Sequence, residues 1–357
     1  MGKREIPKKE IKGKSKKKKL NWLRIILVAL LIALVVWVAY FIYQINQNGG
    51  GMQGMLATLV GHNSETLKDL EPLYCLMLGE SVSGDSRLTD TIIVCKYDPK
   101  TQKAAMLSVP RDTFIGTNPD TATPYYKINN AYKMGKDPEN AVKVVNEITG
   151  LDIKYYVLIN TNVLKDVVDA IGGVYFDVPI DMYYTWDTEQ DLYIDLKKGY
   201  QLLDGDKAEQ VVRFRHNNDR SSYPYEYGGE NHGRMKTQMA FLKAVAEQTL
   251  KPENILKIGE FIDIFHKNVK TNLSIETMKD YIPYAVNFST ENLKTEELPG
   301  KDDRAKQTGY WFFYPDKVKT KEIVDELFLN VESEEAENTI SNNTNTDANN
   351  TLTNTNS

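Results

Sequence analysis

The residues best able to do chemistry in this 357-residue chain are arginines set at turns and element ends. Arg111 lies in SVPRD, just past an apolar run, where Pro110 fixes the backbone and ends a β-ladder. The ends of strands in α/β sheets are where ligands usually sit. Arg213 and Arg215 lie in VVRFRH. Read as a strand, that segment points both guanidiniums to one face and Val212 and Phe214 to the other, and two such cations repel unless an anion lies between them. Arg234 and Gln238, in GRMKTQ, are four apart and share a helix face. Gly233 and Arg234 fall near the expected helix start, where exposed N–H groups favour phosphate oxygens. Asp90, in RLTDTI, opens a strand beside Arg87. A carboxylate there would hold Mg²⁺ (or Mn²⁺) against a diphosphate, or else pair with Arg87 or cap a turn.

Each arginine alone is as well explained as a solvated residue or an ion-pair partner. Together they are what a pyrophosphate pocket requires, since a planar guanidinium grips phosphate bidentately and each such bond contributes about 1.5 to 3 kcal/mol where water is excluded. Other chemistries are poorly supported. His62, His216, His232 and His266 form no HExxH or Ser-His-Asp spacing, and neither GxxxxGK[ST] nor GxGxxG occurs. Cys75 and Cys95 have no Cys or His companions at zinc spacing; they are either one disulfide, if their strands are neighbours, or two buried core residues.

Charge is distributed unevenly. The net charge is -5, yet residues 1–24 hold eleven Lys and Arg against two Glu, so the remainder is acidic. An acidic body argues against nucleic acid as a partner. Residues 25–43 read IILVALLIALVVWVAYFIY, without a charge, long enough to cross a bilayer as a helix. Thirteen of them are Leu, Ile, Val or Phe, each worth roughly -0.3 to -0.6 kcal/mol on the insertion scale. The basic head on one side and the aromatics Trp37, Tyr40 and Tyr43 toward the other fit an uncleaved signal anchor with its N-terminus in the cytoplasm. The head also attracts anionic membrane lipid, at about 1 kcal/mol per basic residue near the surface.

Residues 44–70 read as an extracellular tether, and residues 331–357, rich in Asn, Thr, Ser and Glu, as a disordered polar tail. Between them, residues 73–79, 91–97, 104–109 and 155–159 are strand candidates, and 140–149, 163–171, 206–210 and 233–250 are the clearest helices. The alternation predicts an α/β layered domain over residues 71–330, including an aromatic strand at 310–314.

The order LMLGE, RLTDTI, SVPRDTF, KINNAY, IGGVYFDVP, LLDGDKAEQVVRFR and GRMKTQ resembles the LytR-CpsA-Psr family of cell-envelope enzymes, over about residues 73–250. The later GYWFFYPDKVKTKEIVDELF is similar to that family's C-terminal completion. The resemblance implies an α-β-α sandwich with a central mixed sheet behind one transmembrane helix. It further implies transfer of an anionic glycopolymer from an undecaprenyl-pyrophosphate carrier to peptidoglycan, with an apolar tunnel for the lipid.

By the same resemblance Arg87, Arg111, Arg213, Arg215 and Arg234 would hold the pyrophosphate and Asp90 the metal. Gln238 matches the end of a motif, and Lys127 of KINNAY is a secondary phosphate candidate. The chain departs from the family pattern at three places. Gly-x-Asp reads Gly79-Glu80-Ser81, leaving Glu80 or Asp85 as the second carboxylate; Asp-x-Gly-Arg reads Asn231-His232-Gly233-Arg234; and Thr237 stands where an Arg is usual. Residues 221–230 are expected as an inserted loop over the pocket mouth. In the expected reaction a peptidoglycan sugar hydroxyl attacks phosphorus while the arginines and Mg²⁺ neutralise charge, with Asp90 and Arg111 catalytic. Alternatives are an envelope sensor or transcriptional attenuator, and a polyprenyl-pyrophosphate pyrophosphatase.

Overall fold

The structure, a computed structural model, describes residues 19–61, 70–83, 86–135, 137–187 and 192–329. Most of the basic head, part of the expected tether, Asp85 and the polar tail lie outside the described residues. The chain divides into two compact units, residues 1–64 and 65–357.

In the first unit α1 (Lys19–Gln47) contains a span, Ala29–Gln47, of mean hydropathy 2.0, long and apolar enough to cross a membrane. Its last residues belong to the segment read as tether, because the helix continues past Tyr43 through Gln44, Ile45, Asn46 and Gln47 with no breaker before Asn48. Gly49, Gly50 and Gly51, with φ of 100°, 73° and 58°, then turn the chain into α2 (Gly51–Val60). Asn48 donates to the Thr58 hydroxyl at 3.0 Å and ties the turn to that helix.

The second unit opens with a long hairpin, β1 (Leu73–Ser83) and β2 (Ser86–Asp98), then β3 (Lys103–Ser108). Helices α3 (Ala131–Gly135) and α4 (Pro138–Thr149) lead to β4 (Tyr155–Ile159) and α5 (Thr161–Ala170). Two small antiparallel pairs follow: β5 (Val174–Val178) with β8 (Gly199–Leu203), and between them β6 (Met182–Asp187) with β7 (Leu192–Leu196). After α6 (Gly205–Arg213) and α7 (Gly229–Thr249) come α8 (Pro252–Ile255), α9 (Ile258–Asn268), β9 (Lys270–Thr271), α10 (Ile275–Ala285) and β10 (Leu293–Glu297). The hairpin β11 (Gly300–Arg304) and β12 (Trp311–Pro315) precedes α11 (Lys317–Val324). The central sheet has the order β10-β3-β2-β1-β4-β9, and β1 runs parallel to β4 but antiparallel to β2. It is therefore mixed.

Both faces of the sheet are covered, which is why β1 and β2 read as continuous apolar runs. Leu76, Leu78, Ile92, Val94 and Leu107 point to one side, against Ala141, Val142 and Val145 of α4 and Val324 of α11. Met77, Ile93, Cys95 and Met106 point to the other, against Met239 and Leu242 of α7. Fully burying each large aliphatic chain is worth roughly 1.5 to 3 kcal/mol, so the pattern suffices to lock this helix–sheet–helix layering. A second core joins β5–β8 to α5, α6 and α7, with Phe176 edge-on to Phe241 at 5.2 Å. Cys75 and Cys95 face each other across β1 and β2 as free thiols.

The sequence pattern located the main strands and helices but misread two places. Residues 213–215 are no strand: Asp204 caps α6 by accepting from the Lys207 N–H at 2.9 Å, and the helix, burying Ala208 and Val211, runs through Arg213. The short apolar stretch VV closes that helix rather than opening a ladder. Nor is Gly233 at a helix start, since α7 begins four residues earlier at Gly229 and Arg234 lies in its second turn.

Candidate active site

A cavity of about 520 Å³ opens where β1 and β4 end. Both are parallel strands, and their carboxyl ends are the general location of ligand sites in such sheets. Gly79 and Glu80 line it from β1, Asp90 and Thr91 from β2, where Asp90 is the extra residue of a bulge opposite Gly79 and Glu80, Arg111 from the segment after β3, and Asn160 and Thr161 from the start of α5. Gly79 is required by close approach: a Cβ there would lie 2.8 Å from Cβ of Thr91, its partner on β2. Without that close pairing the bulge could not bring Glu80 and Asp90 to one wall.

Arg111, Arg213, Arg215 and Arg234 converge on this cavity from three different segments, after β3, at the end of α6 and in α7. Arg111 donates to Asp90 Oδ1 at 3.2 Å. Arg213 pairs with Glu209 at 2.9 Å, one turn back on α6, and Arg215 with Glu230 of α7 at 2.7 Å. Glu209 and Glu230 do not line the cavity, so these carboxylates brace the guanidiniums from outside it. Arg234 is the most enclosed, 6% exposed. The Nε groups of Arg111, Arg215 and Arg234 are buried and find no hydrogen-bond partner among the described residues. Burial, then the like charges of Arg111 and Arg215, push Arg234 down to about 10, despite the opposing pull of Asp90 and Asp112. Guanidiniums left with buried donors unmade cost about 1 to 3 kcal/mol or more each, which a bound anion with several acceptor oxygens would offset.

Not every expected residue faces the cavity in the expected way. Gln238 lines it, but its Nε2 donates to the Val212 carbonyl at 2.8 Å and its Oε1 accepts from the Thr91 hydroxyl at 3.4 Å. Its amide is a brace joining α7, the end of α6 and β2. Lys127 does not line the cavity; it pairs with Asp112 at 2.8 Å over the ring of Phe312. Its hold on Asp112 sets the neighbour of Arg111, whose Nε lies 3.9 Å from that carboxylate. Arg87 is on β2, but its side chain lies outside those described. None of residues 221–230 lines the cavity. Instead Tyr223, 4% exposed, packs on Phe214 and stacks on Tyr227, so this segment is an anchor beneath α7, not a cover.

The pattern of the sequence missed two parts of the wall. One is apolar: Leu164 of α5, Tyr184 of β6, Leu192 and Ile194 of β7, Val212 and Leu242 face the same space as the arginines. The other is His216, directly after Arg215, whose only sequence signal was that adjacency. The cavity is therefore lined by charged and greasy side chains together. Among the described residues no set of three or more His, Cys, Asp or Glu could by itself hold a metal ion. Among the described residues, Glu80 and Asp90 are the carboxylates lining the cavity.

Comparison with known proteins places the chain. A model of the LytR_cpsA_psr family matches residues 40–329. TagV of Bacillus subtilis (strain 168), named a polyisoprenyl-teichoic acid–peptidoglycan teichoic acid transferase, is 28% identical over 256 residues, covering 71% of this chain and 63% of TagV. TagU of Bacillus cereus, named for the same transfer, is 28% identical over 266 residues, covering 73% of this chain and 80% of TagU. The crystal structure of Bacillus subtilis TagV superposes with a TM-score of 0.58 at 26% identity, covering 72% of this chain and 97% of that one.

Proposed function

The chain belongs to the LytR_cpsA_psr family, and from that premise we propose that it transfers an anionic glycopolymer from an undecaprenyl-pyrophosphate carrier to a sugar hydroxyl of peptidoglycan. The observation that carries the proposal is the mixed lining of one cavity, where guanidiniums whose buried Nε groups have no partner among the described residues share the space with Leu164, Leu192, Ile194 and Leu242. A diphosphate with a long aliphatic tail satisfies both kinds of side chain at once; a free nucleotide or sugar satisfies one. The names borne by TagV and TagU favour a teichoic-acid-type polymer as the group moved.

In this reading Arg111, Arg213, Arg215 and Arg234, with Arg87, hold the diphosphate. Asp90 aims Arg111 through their 3.2 Å ion pair. Glu80 and Asp90 fit Mg²⁺ (or Mn²⁺) shared with diphosphate oxygens, since this ion is usually held by one or two carboxylates plus substrate phosphate. When bound it would neutralise charge on the leaving phosphate. Phosphoryl transfer needs positioning and charge stabilisation more than covalent chemistry, and fixed guanidiniums supply both. The apolar helix α1 anchors the chain in the membrane with its basic head in the cytoplasm and the cavity outside, where polyprenyl-linked donor and wall acceptor are both present.

The test is release of polyprenyl phosphate from a polyprenyl-pyrophosphate-linked sugar, with formation of wall-linked product, by the full chain in detergent with Mg²⁺ and peptidoglycan fragments, against Arg111→Ala and Asp90→Ala. Release by the native chain, lost in both variants, is expected. A native chain that neither binds nor converts the lipid would remove the proposal, and free glycan phosphate in place of a wall-linked product would make the enzyme a pyrophosphatase.

A further inference from the structure

His216 has its two ring nitrogens in contact with groups whose hydrogen-bonding roles admit no exchange. Nδ1 lies 2.9 Å from the carbonyl oxygen of Asn217, which can only accept, so Nδ1 carries a proton. Nε2 lies 3.2 Å from Nη1 of Arg220, which can only donate, so Nε2 carries a lone pair. The ring is thus a neutral imidazole of one tautomer. Its orientation is held from behind. Asn217 accepts from the Tyr183 N–H at 2.6 Å and donates to the Ser221 hydroxyl at 3.0 Å, while Asn218 accepts from the Thr185 N–H at 3.0 Å and stitches the same loop to β6. The Tyr184 ring stands edge-on to the imidazole at 5.3 Å.

This ring lines the cavity of the arginines. The proposed transfer requires a group to take the proton of the attacking hydroxyl. Arginines cannot accept it, and of the lining carboxylates Asp90 is engaged by Arg111 while Glu80, in the reading above, is committed with it to the metal. Imidazole is the side chain whose ordinary titration falls in the range where an efficient general base is needed. The side chain of Arg220 is exposed, so an incoming hydroxyl can replace it as the donor to Nε2 at little cost.

We propose that His216 is the general base of the transfer, accepting at Nε2 the proton of the peptidoglycan hydroxyl, with Nδ1–H anchored on the Asn217 carbonyl. The inference rests on the transferase reading above. In the step, the hydroxyl oxygen forms a bond to the phosphorus carrying the glycopolymer, and its proton passes to Nε2. The bond from that phosphorus to the bridging oxygen breaks, its electron pair leaving with polyprenyl phosphate. The arginines stabilise charge and His216 moves the proton, a division of labour like that between an oxyanion site and an oriented histidine.

The experiment measures polyprenyl phosphate release and wall-linked product by the full chain in detergent, with Mg²⁺, polyprenyl-pyrophosphate-linked sugar and peptidoglycan fragments. His216→Gln and His216→Ala are expected to lower kcat about 10²-fold or more with donor binding within a few-fold of native. Added imidazole is expected to restore turnover to His216→Ala and not to Arg111→Ala. If His216→Gln turns over within threefold of the native chain, the base assignment is wrong while the transfer stands. A kcat loss without imidazole rescue, accompanied by weakened donor binding or a lowered melting temperature, also overturns it, by making His216 a packing residue. A native chain with no turnover overturns the transfer reading and the base together.

Discussion

Arg215 donates to Glu230 across 2.7 Å and thereby joins the loop after α6 to the first turn of α7. Both side chains are about two-fifths exposed, 39% and 40%, so the pair adds little to stability, at most about 1 kcal/mol. Its value is in aiming a guanidinium whose Nε has no partner among the described residues. Glu230→Gln is expected to leave the melting temperature within about 4 °C of native, the shift that about 1 kcal/mol produces in a domain of this size. Arg215→Ala is expected to weaken polyprenyl-pyrophosphate binding roughly tenfold or more, the loss of one charge-assisted contact. Calorimetric titration and thermal melts read the two effects separately; unchanged binding by Arg215→Ala would take Arg215 out of the site.

Gly233 lies under Arg234 and against Tyr223, where a Cβ would come 2.6 Å from the Tyr223 Cβ. Gly233→Ala is expected to destabilise the fold by about 1 to 3 kcal/mol through overpacking. Because Tyr223 is buried and cannot yield, α7 must shift, carrying Arg234 with it, so donor binding should fall as well. Coupling is the check. In the Gly233→Ala/Tyr223→Gly double variant, which removes the Tyr223 Cβ as well as the ring, the alanine methyl has room, and the combined loss in chemical denaturation is expected to be less than the sum of the single losses.

These residues mark how far the sequence could be read. The sheet was legible because β1 and β2 are buried on both faces, which leaves uninterrupted apolar runs such as TIIVC. Arg111 was legible as a site residue because Pro110 stops the strand in front of it. Arg213 and Arg215 line one cavity, but not as neighbours on a strand face, for the helix cap at Asp204 outweighs the local strand-like spacing of VVRFR. His216 and the apolar wall were not legible, because Tyr184, Ile194 and Leu242 come together through the packing of β6, β7 and α7, and no local periodicity records that meeting. Gln238 and Lys127 look like ligand-binding side chains in sequence; only the partners Val212 and Asp112 turn them into braces.

Cys75 and Cys95 offer a simple test of the sheet itself. They are Cα partners across β1 and β2, and burial pushes the Cys75 thiol up to about 12. Burial, and then Cys75 beside it, also push Cys95 up. A thiol held protonated is a poor nucleophile. Neither cysteine should react with a charged disulfide reagent at neutral pH in the folded chain, and both should react once denaturant is added. Rapid labelling of either in the native state would contradict the register of the two strands.

His232 supplies the pH prediction. One ring nitrogen meets Glu297 at the end of β10 and the other meets Asp302 of β11, at 3.0 Å, so the ring is clamped as an imidazolium between two carboxylates. The hydrogen bonds to Asp302 and Glu297 raise it to about 10, against the cost of burial. A histidine raised above its unfolded value contributes stability that is complete below about pH 6.5 and lost as pH rises through about 10. With Asp302 half exposed, the contribution is on the order of 1 to 3 kcal/mol. Arg234 titrates toward the same upper limit with the opposite sign, because its value is lowered on folding and losing its proton relieves burial. Comparing the native chain with His232→Gln cancels that contribution. The native chain is expected to melt several degrees above the variant near pH 7, and the gap is expected to close as pH approaches 10. A gap that stays constant over this range would mean that His232 holds β11 to α7 by packing rather than by charge, and that its two carboxylate contacts are incidental.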